Sequence, residues 1–592
     1  MRSVALRYGA VLVLFSLTTG IFFHDVARHP QSRLACCIGD GTGTIRDLWV
    51  ASVEHKTPFT ITRDYYNGAP EGTARVPATI VANAGIQTAL LWALRDVTGT
   101  VLAWNLYLLF GLVASGMAMF ALLEVLGCRL IAALFGGYIF AFSPYAVEQA
   151  DAGHIGFDQN WAIVLTALSM IWLRKRRSYG RSAIAGLSVA LAFYISAYQG
   201  LFAGIVALSF LIVEFWRLPS KEDRIRSLAL VTTTYGSAAI ALLPVLDLYK
   251  RERSSVDTSA AHSLNDLYTF AARVTAYAVP SPGNPLFHWV RGFHPTDVFE
   301  QTLFIGYTTW VLAIVAVVLM FRRNAWLRAS DTRWWTGITM AILTPLAFML
   351  SLPPSYHIGP VLIPMPSSLL GLATAFWRVY ARFGVVVSFG LAVLAALGIS
   401  SLSVRADRRW RLLGPIALLL VVFELLPGNV GAVDMTAKPA WVAWLASHPH
   451  GIVAIYPMVI KPRPIPGLDD AGLWYQKLDH DPGFDMVGAS FVQKITRQAA
   501  IRTLSRNLGD PLTPRILSTE GVRYVVVDEP VFHQQGLRVP RLDRRFFTPL
   551  MKADGVWIYS VHAPPVNITA TIAANRHKIN RLQGGLSRAE KT

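Results

Sequence analysis

Cysteine and charge are what this sequence has least of. Three cysteines in 592 residues exclude a disulfide-built scaffold, and Cys36, Cys37 and Cys128 lack the spacing of a zinc site. Charged residues make up 15% of the chain against 53% hydrophobic, and the mean hydropathy is +0.42. Length alone would allow about four soluble domains at roughly 150 residues each, but so little charge does not describe a soluble surface. The chain reads as a membrane protein. Acidic residues are scarcer still, 36 against 54 Lys and Arg, for a net charge of +18. Those basic residues fall in short clusters between apolar runs, a distribution that argues for membrane topology and against nucleic-acid binding. Internal repeats are absent too, which weakens a transporter reading, since many transporters are built from repeated halves.

What is there is a series of apolar runs. A spanning helix needs about 20 apolar residues, and eleven runs approach that: Val4–Phe23, Val101–Leu123, Leu130–Val147, Asp158–Leu173, Ala183–Tyr198, Leu201–Trp216, Leu228–Leu248, Thr302–Phe321, Trp334–Leu352, Phe383–Leu402 and Leu412–Pro427. The fold class expected is a membrane all-α domain over residues 1–428. Lys and Arg collect in cytoplasmic loops, and the clusters at Arg2 and Arg7, Arg129, Arg174–Arg181, Arg217–Arg226, Arg322–Arg333 and Arg405–Arg411 alternate as that rule requires. The N-terminus is therefore placed in the cytoplasm, the first span is an uncleaved anchor, and the segment after Pro427 lies outside. The setting expected is a bacterial cytoplasmic (inner) membrane.

Three outer segments are long: 24–100, 249–301 and everything after 428. The last is expected to be a small α/β domain over 429–566, with strands at Gly451–Pro457, Gly521–Val527 and Gly555–Val561 and helices near Pro439–Ser447 and Val492–Asn507. From about Asn567 the chain is polar and basic, and 567–592 reads as a disordered tail. The half-apolar run Val76–Leu94 reads as an amphipathic helix along the membrane surface.

Candidate chemistry sits in the loops. Asp40 stands between Gly39 and Gly41, where the backbone turns tightly and presents a carboxylate, as a general base requires; an Asp capping its own turn is the equal alternative. Asp47 faces water or pairs with Arg46, and Asp25 is a further carboxylate near the first span. The string Gly39–Gly43 looks like a nucleotide loop, but no strand precedes it. Between two spans, Glu148, Asp151, His154 and Asp158 crowd one mouth; His154 and Asp158 share a face if the fourth helix starts early, and hydrogen-bonded structure is a more common role for such a pair than a metal. Lys250, Arg251, Arg253, Arg378 and Arg382 run against the topological bias on the outer side, where the arginine fork suits phosphate; snorkelling to headgroups is the alternative.

These features together resemble the GT-C superfamily of integral-membrane glycosyltransferases, and more narrowly the YfhO-like and related bacterial multi-span proteins. The resemblance rests on a first span followed by a long loop with Gly39-Asp40 and Trp49, on Pro70-Glu-Gly72, on GGYIFAFSPY…AGHIGF (Gly136–Phe157), on Arg378 and Arg382 before an apolar helix, and on WYQKLDH (Trp474–His480) with GVRYVVV. It implies transfer of a sugar from a polyprenyl-phosphate donor to a glycan or lipid acceptor, with membrane lipids as partners and no nucleic acid. Family members place a catalytic acid in the first outer loop, which puts Asp40 there as base. Arg378, Arg382 and Lys250 would hold the departing phosphate, Asp47, His154 and Asp158 would line the acceptor or sugar pocket, and Gln476 and His480 of the C-terminal domain would guide the acceptor. No cofactor is implied, no metal ligand set is evident, and a divalent cation is left open. A flippase-type transporter and a non-catalytic assembly protein are the competing readings.

Overall fold

The computed structural model describes residues 2–35, 40–75, 77–218, 220–252, 264–281, 283–290, 295, 298–358, 360–373, 377–404, 408–436, 439–458, 484–487, 497–534 and 536–580. It divides into two compact units. The first holds residues 1–37, 79–248 and 262–432; the second holds 38–78, 249–261 and 433–592.

The first unit is built on helices α1 (Arg2–Phe22), α2 (Pro77–Thr98), α3 (Thr100–Val125), α4 (Leu130–Phe142), α5 (Pro144–Asp151), α6 (Trp161–Lys175), α7 (Tyr179–Ile195), α8 (Ala197–Arg217), α9 (Lys221–Glu252), α10 (Tyr307–Phe321), α11 (Asp331–Ser351), α12 (Gly384–Ser403) and α13 (Arg408–Glu424). Among the described residues, eight helical stretches are long and apolar enough to cross a membrane, and Tyr179–Ile195, Tyr307–Phe321 and Leu412–Glu424 are shorter apolar helices. The chain is a multi-pass membrane protein. Its outward faces are apolar where lipid would lie: Leu6, Leu17 and Ile21 of α1 and Ile240, Leu243 and Leu246 of α9 are all more than half exposed.

Helix α12 is buried along its whole length, and glycine explains how its neighbours approach so closely. A Cβ on Gly390 would lie 2.0 Å from Thr344 Oγ1 of α11, and one on Gly398 would lie 2.5 Å from the Leu312 carbonyl of α10. With lipid outside as apolar as the core, such small-residue contacts are what hold membrane helices together.

The run expected as an amphipathic helix on the membrane surface is helical from Pro77 on, within α2, a 22-residue helix whose composition also allows it to cross, with a break in helical backbone at Ala84. One sequence expectation fails here. The fourth span does not start early. Gly153 adopts φ +69°, which turns the chain out of α5, and residues 153–160 stay irregular until Trp161 opens α6.

The second unit centres on a five-stranded sheet. Its strands are β1 (Ile452–Tyr456), β2 (Asp485–Met486), β3 (Val522–Asp528), β4 (Phe547–Ala553) and β5 (Val556–Val561), in the order β4-β5-β3-β1-β2. β1 pairs in parallel with β2 and β3, and β5 is antiparallel to β3 and β4. Helices α14 (Ala440–Ala446), α15 (Arg497–Ser505), α16 (Leu512–Thr519) and α17 (Ile568–Ala574) accompany it. Along β3, Tyr524 and Val526 pack with Trp441 and Leu445 on one face, while Val525 and Val527 pack with Leu517 and Phe547 on the other. Burial on both faces is why residues 524–527 of this strand read as an apolar run.

The tail departs from expectation. Residues 568–574 are helical, Asn567 caps them by accepting the Ala570 N–H at 3.0 Å, and Ile568 and Ile579 join Ala500, Ile501 and Leu504 in one buried cluster. Two well-placed isoleucines outweigh the polarity of the segment around them. Beyond residue 580 the chain lies outside the described residues.

Candidate functional site

In the first unit the polar groups gather where α6, α8 and α12 begin. Ser143 accepts the Ala146 N–H and Pro144 occupies the first turn, so α5 starts cleanly after α4 and presents Gln149. That amide donates to the Phe299 carbonyl at 2.8 Å, and its oxygen lies 2.7 Å from His154 Nδ1. Next along is Glu300, on the short helix Val298–Gln301. It receives Arg382 Nε at 3.0 and 3.1 Å on its two oxygens and Nη2 as well. The guanidinium lies against two aromatic rings that also touch each other edge to face, 3.8 Å from the Phe157 centroid and 4.7 Å from that of Tyr198. Tyr198 in turn accepts the Val379 N–H at 3.0 Å.

This arrangement corrects the role expected of Arg382. Its side chain is 12% exposed and that of Glu300 4%, so the fork that was assigned to phosphate is already occupied by a carboxylate. A buried guanidinium needs such a partner, because an unpaired charge in a water-poor interior is very costly. Glu300 was missed in the sequence; a lone acid directly before an apolar run was the available signal. Arg378, four residues earlier, is half-buried and lies 5.4 Å over the Phe270 ring.

Asp158 is fully buried. Its Oδ2 takes the Gln159 side-chain N–H at 3.1 Å, its Oδ1 makes no hydrogen bond, and a Cβ on Gly111 would meet Oδ2 at 2.6 Å. It faces α3, whereas His154 faces Gln149, so the two do not form the shared face that an early helix would have given. A small cleft lies near by on α5, lined by Glu148, Ser281, Asn284 and Glu424. Glu424 accepts the Thr308 N–H at 3.1 Å and its hydroxyl at 3.0 Å. That approach requires Gly306, at φ +89°, where a Cβ would lie 2.5 Å from Glu424 Oε2. Carboxylates and amides on such a wall accept and donate to hydroxyls, and its charge does not suit an anion. Among the described residues, no three His, Cys, Asp or Glu side chains gather to hold a metal ion.

The second unit holds Asp40, Asp47 and Lys250. Asp40 opens the loop helix Asp40–Val53, so the backbone is helical where a tight turn was expected; its side chain, Gly39, Arg253, Gln476 and His480 lie outside the described residues. Lys250 is exposed near the end of α9. Asp47 pairs with Arg75 and not with Arg46, whose buried guanidinium instead meets both oxygens of Asp64. Asp64 also receives the Tyr66 N–H at 3.1 Å. From there the loop joins the sheet: Met486 of β2 donates to the Tyr66 carbonyl at 3.0 Å and its carbonyl accepts the Gly68 and Ala69 N–H groups at 2.9 Å. Arg497 closes the seam, bonding Glu71 at 2.8 Å and the buried Glu520 through both carboxylate oxygens. The loop that carries Asp40 is therefore folded together with the C-terminal sheet. Beside the seam, burial pushes the Asp485 carboxyl above its usual range; His450, 3.6 Å away, pulls it back in part, and Asp64 adds to the rise.

Against known proteins, residues 87–425 match a family described as Domain of unknown function (DUF6311). No curated protein matches the chain by sequence. Among solved structures the chain is similar to the archaeal oligosaccharyltransferase AglB from Archaeoglobus fulgidus, in complex with an inhibitory peptide and a dolichol-phosphate, at 12% identity and TM-score 0.46 over 88% of this chain and 69% of that one. It is similar to the arabinofuranosyltransferase AftD from Mycobacteria at 16% identity and TM-score 0.49 over 95% of this chain but only 42% of that one. ArnT from Cupriavidus metallidurans gives 12% identity and TM-score 0.39 over 94% and 98%.

Proposed function

The chain belongs to the DUF6311 family, and we propose that it acts as a membrane glycosyltransferase of the GT-C type, moving a sugar from a polyprenyl-phosphate donor to a glycan or lipid acceptor. The observation that carries this reading is the anchored loop. Asp40 begins a helix held by the ion pairs of Arg46 with Asp64 and Asp47 with Arg75, and its loop is hydrogen-bonded to the C-terminal sheet. A general base works only when its carboxylate is held within reach of one proton, and a helix pinned through its middle at residues 46 and 47 supports that placement.

The chemistry then needs few groups. The acceptor oxygen attacks the anomeric carbon as Asp40 takes its proton, the bond from that carbon to the phosphate oxygen breaks, and polyprenyl phosphate leaves with the electron pair. Direct attack inverts the anomeric centre. Phosphate is a good leaving group, so a cation stabilises the departure and a general acid is not needed. Lys250, in the same unit as Asp40, is assigned as such a cation, and Arg378 of the first unit is a separate phosphate candidate. Arg382, neutralised by Glu300, acts through position, fixing the stretch that carries Arg378. The hydroxyl-binding groups of the Glu148 and Glu424 cleft suit sugar hydroxyls. Asp158, being sealed, acts as a structural support of that loop.

The test is turnover of purified protein in lipid, supplied with a panel of polyprenyl-phosphate sugars, with release of polyprenyl phosphate as the readout. Release from at least one donor, with sugar appearing on an acceptor, is the expected result. Silence from every donor by protein that remains folded overturns the assignment.

A further inference from the structure

At the opposite end of the first unit, where α6 and α8 finish, a small apolar cleft opens between α6, α8 and α9. Met170, Leu173, Phe210, Leu211 and Leu230 line it, and Arg174, Arg177 and Glu214 form its polar rim. We infer that this cleft is a binding site for an anionic phospholipid, with one acyl chain in the apolar part and the phosphodiester on the arginine rim.

Three observations carry this. The segment beside the rim is basic: residues 174–181 contain Arg174, Lys175, Arg176, Arg177 and Arg181 and no acid, while at the rim itself one carboxylate, Glu214, is shared by Arg174 at 3.4 Å, Arg177 at 2.6 Å and Arg217 at 3.6 Å. Asp331 serves Arg174 and Arg217 at 2.9 and 2.5 Å, while Asp223 is 3.8 Å from Arg177. Second, donors remain. Of the five N–H groups of a guanidinium, Arg177 uses one, on Glu214, and the planar fork is well matched to a phosphate. Third, the mouth sits at headgroup level. Trp172 and Trp216, 41% and 70% exposed, flank it on α6 and α8, and exposed tryptophans mark the membrane–water interface. Basic pockets between membrane helices at that depth are where anionic headgroups bind.

The experiment is native mass spectrometry of the full-length protein in neutral detergent, titrated with phosphatidylglycerol or phosphatidylcholine. The expected result is at least tenfold preference for phosphatidylglycerol, undiminished by millimolar inorganic phosphate, which lacks the acyl chain. Arg177→Gln should weaken phosphatidylglycerol binding about fivefold, the equivalent of roughly 1 kcal/mol per arginine at the surface. Leu211→Trp, which fills the cleft without changing charge, should weaken it as well. Equal retention of the two lipids, displacement by inorganic phosphate, or binding that survives Leu211→Trp would each overturn the proposal, the last by showing that charge alone holds the lipid. The outcome is independent of the proposed transferase activity.

Discussion

Removing Glu300 while keeping Arg382 strands a buried guanidinium without its carboxylate. In Glu300→Ala the guanidinium stays where it is, 12% exposed, against Phe157 and Tyr198, with its only carboxylate partner among the described residues gone. Breaking a buried ion pair from one side costs about 3–5 kcal/mol. The two ring contacts are present before and after and cancel in the difference, while Gln149 keeps its bond to Phe299 and loses the one to Glu300, so the net loss stays at about 3–5 kcal/mol. The assay is the fraction of protein that remains monodisperse after heating in detergent, read as a midpoint, since a protein of this size unfolds irreversibly. The double variant Glu300→Leu with Arg382→Met removes both charges and should recover most of the loss, because isosteric apolar replacement of a buried pair is often near neutral. A single variant indistinguishable from wild type would refute the reasoning, as would a double variant worse than the sum of the two singles.

Other consequences follow from single contacts. Gly306→Ala forces φ +89° on a residue with a Cβ and places that Cβ 2.5 Å from Glu424; a loss of at least about 1 kcal/mol is expected from the left-handed backbone alone, measured by the same heating assay. Arg497→Gln leaves Glu520, whose side chain is 3% exposed, without its ion partner and releases Glu71; a loss of about 2–4 kcal/mol and faster proteolysis within 66–72 are the expected readouts. Asp485 gives a pH signature. Its folded carboxyl titrates above the ordinary value of about 3.9, so between those two values the folded state binds more protons than the unfolded one. Stability of the second unit therefore falls as pH rises through that window, and Asp485→Asn should flatten this slope in a pH series of unfolding midpoints.

Much of the architecture was legible because hydropathy and charge are strong, local signals. Long apolar runs marked helices such as Thr100–Val125 and Gly384–Ser403, and short β-rich runs marked the strands at 452–456, 522–528 and 556–561. Helix ends were less legible, since the start of α6 depends on a turn at Gly153, where a side chain with φ +69° is strained, and not on hydropathy. Long-range pairing was not legible at all. Nothing local links Glu300 to Arg382, 82 residues away, or assigns Arg46 to Asp64 when Asp47 is its neighbour. The strand-like addition of Tyr66–Ala69 to β2 has no hairpin or turn to announce it. The tail misled through composition: Ile568 and Ile579 are two residues in a polar stretch, yet both are buried.

The measurement that bears most directly on the proposed activity compares wild type with Asp40→Asn and Asp47→Asn for release of polyprenyl phosphate from the productive donor. A positioned general base contributes about 10²–10⁴-fold, so Asp40→Asn should lose at least about a hundredfold in kcat with its heating midpoint unchanged. Asp47→Asn, which frees Arg75, should lose stability before it loses chemistry. Equal turnover by wild type and Asp40→Asn would contradict the account.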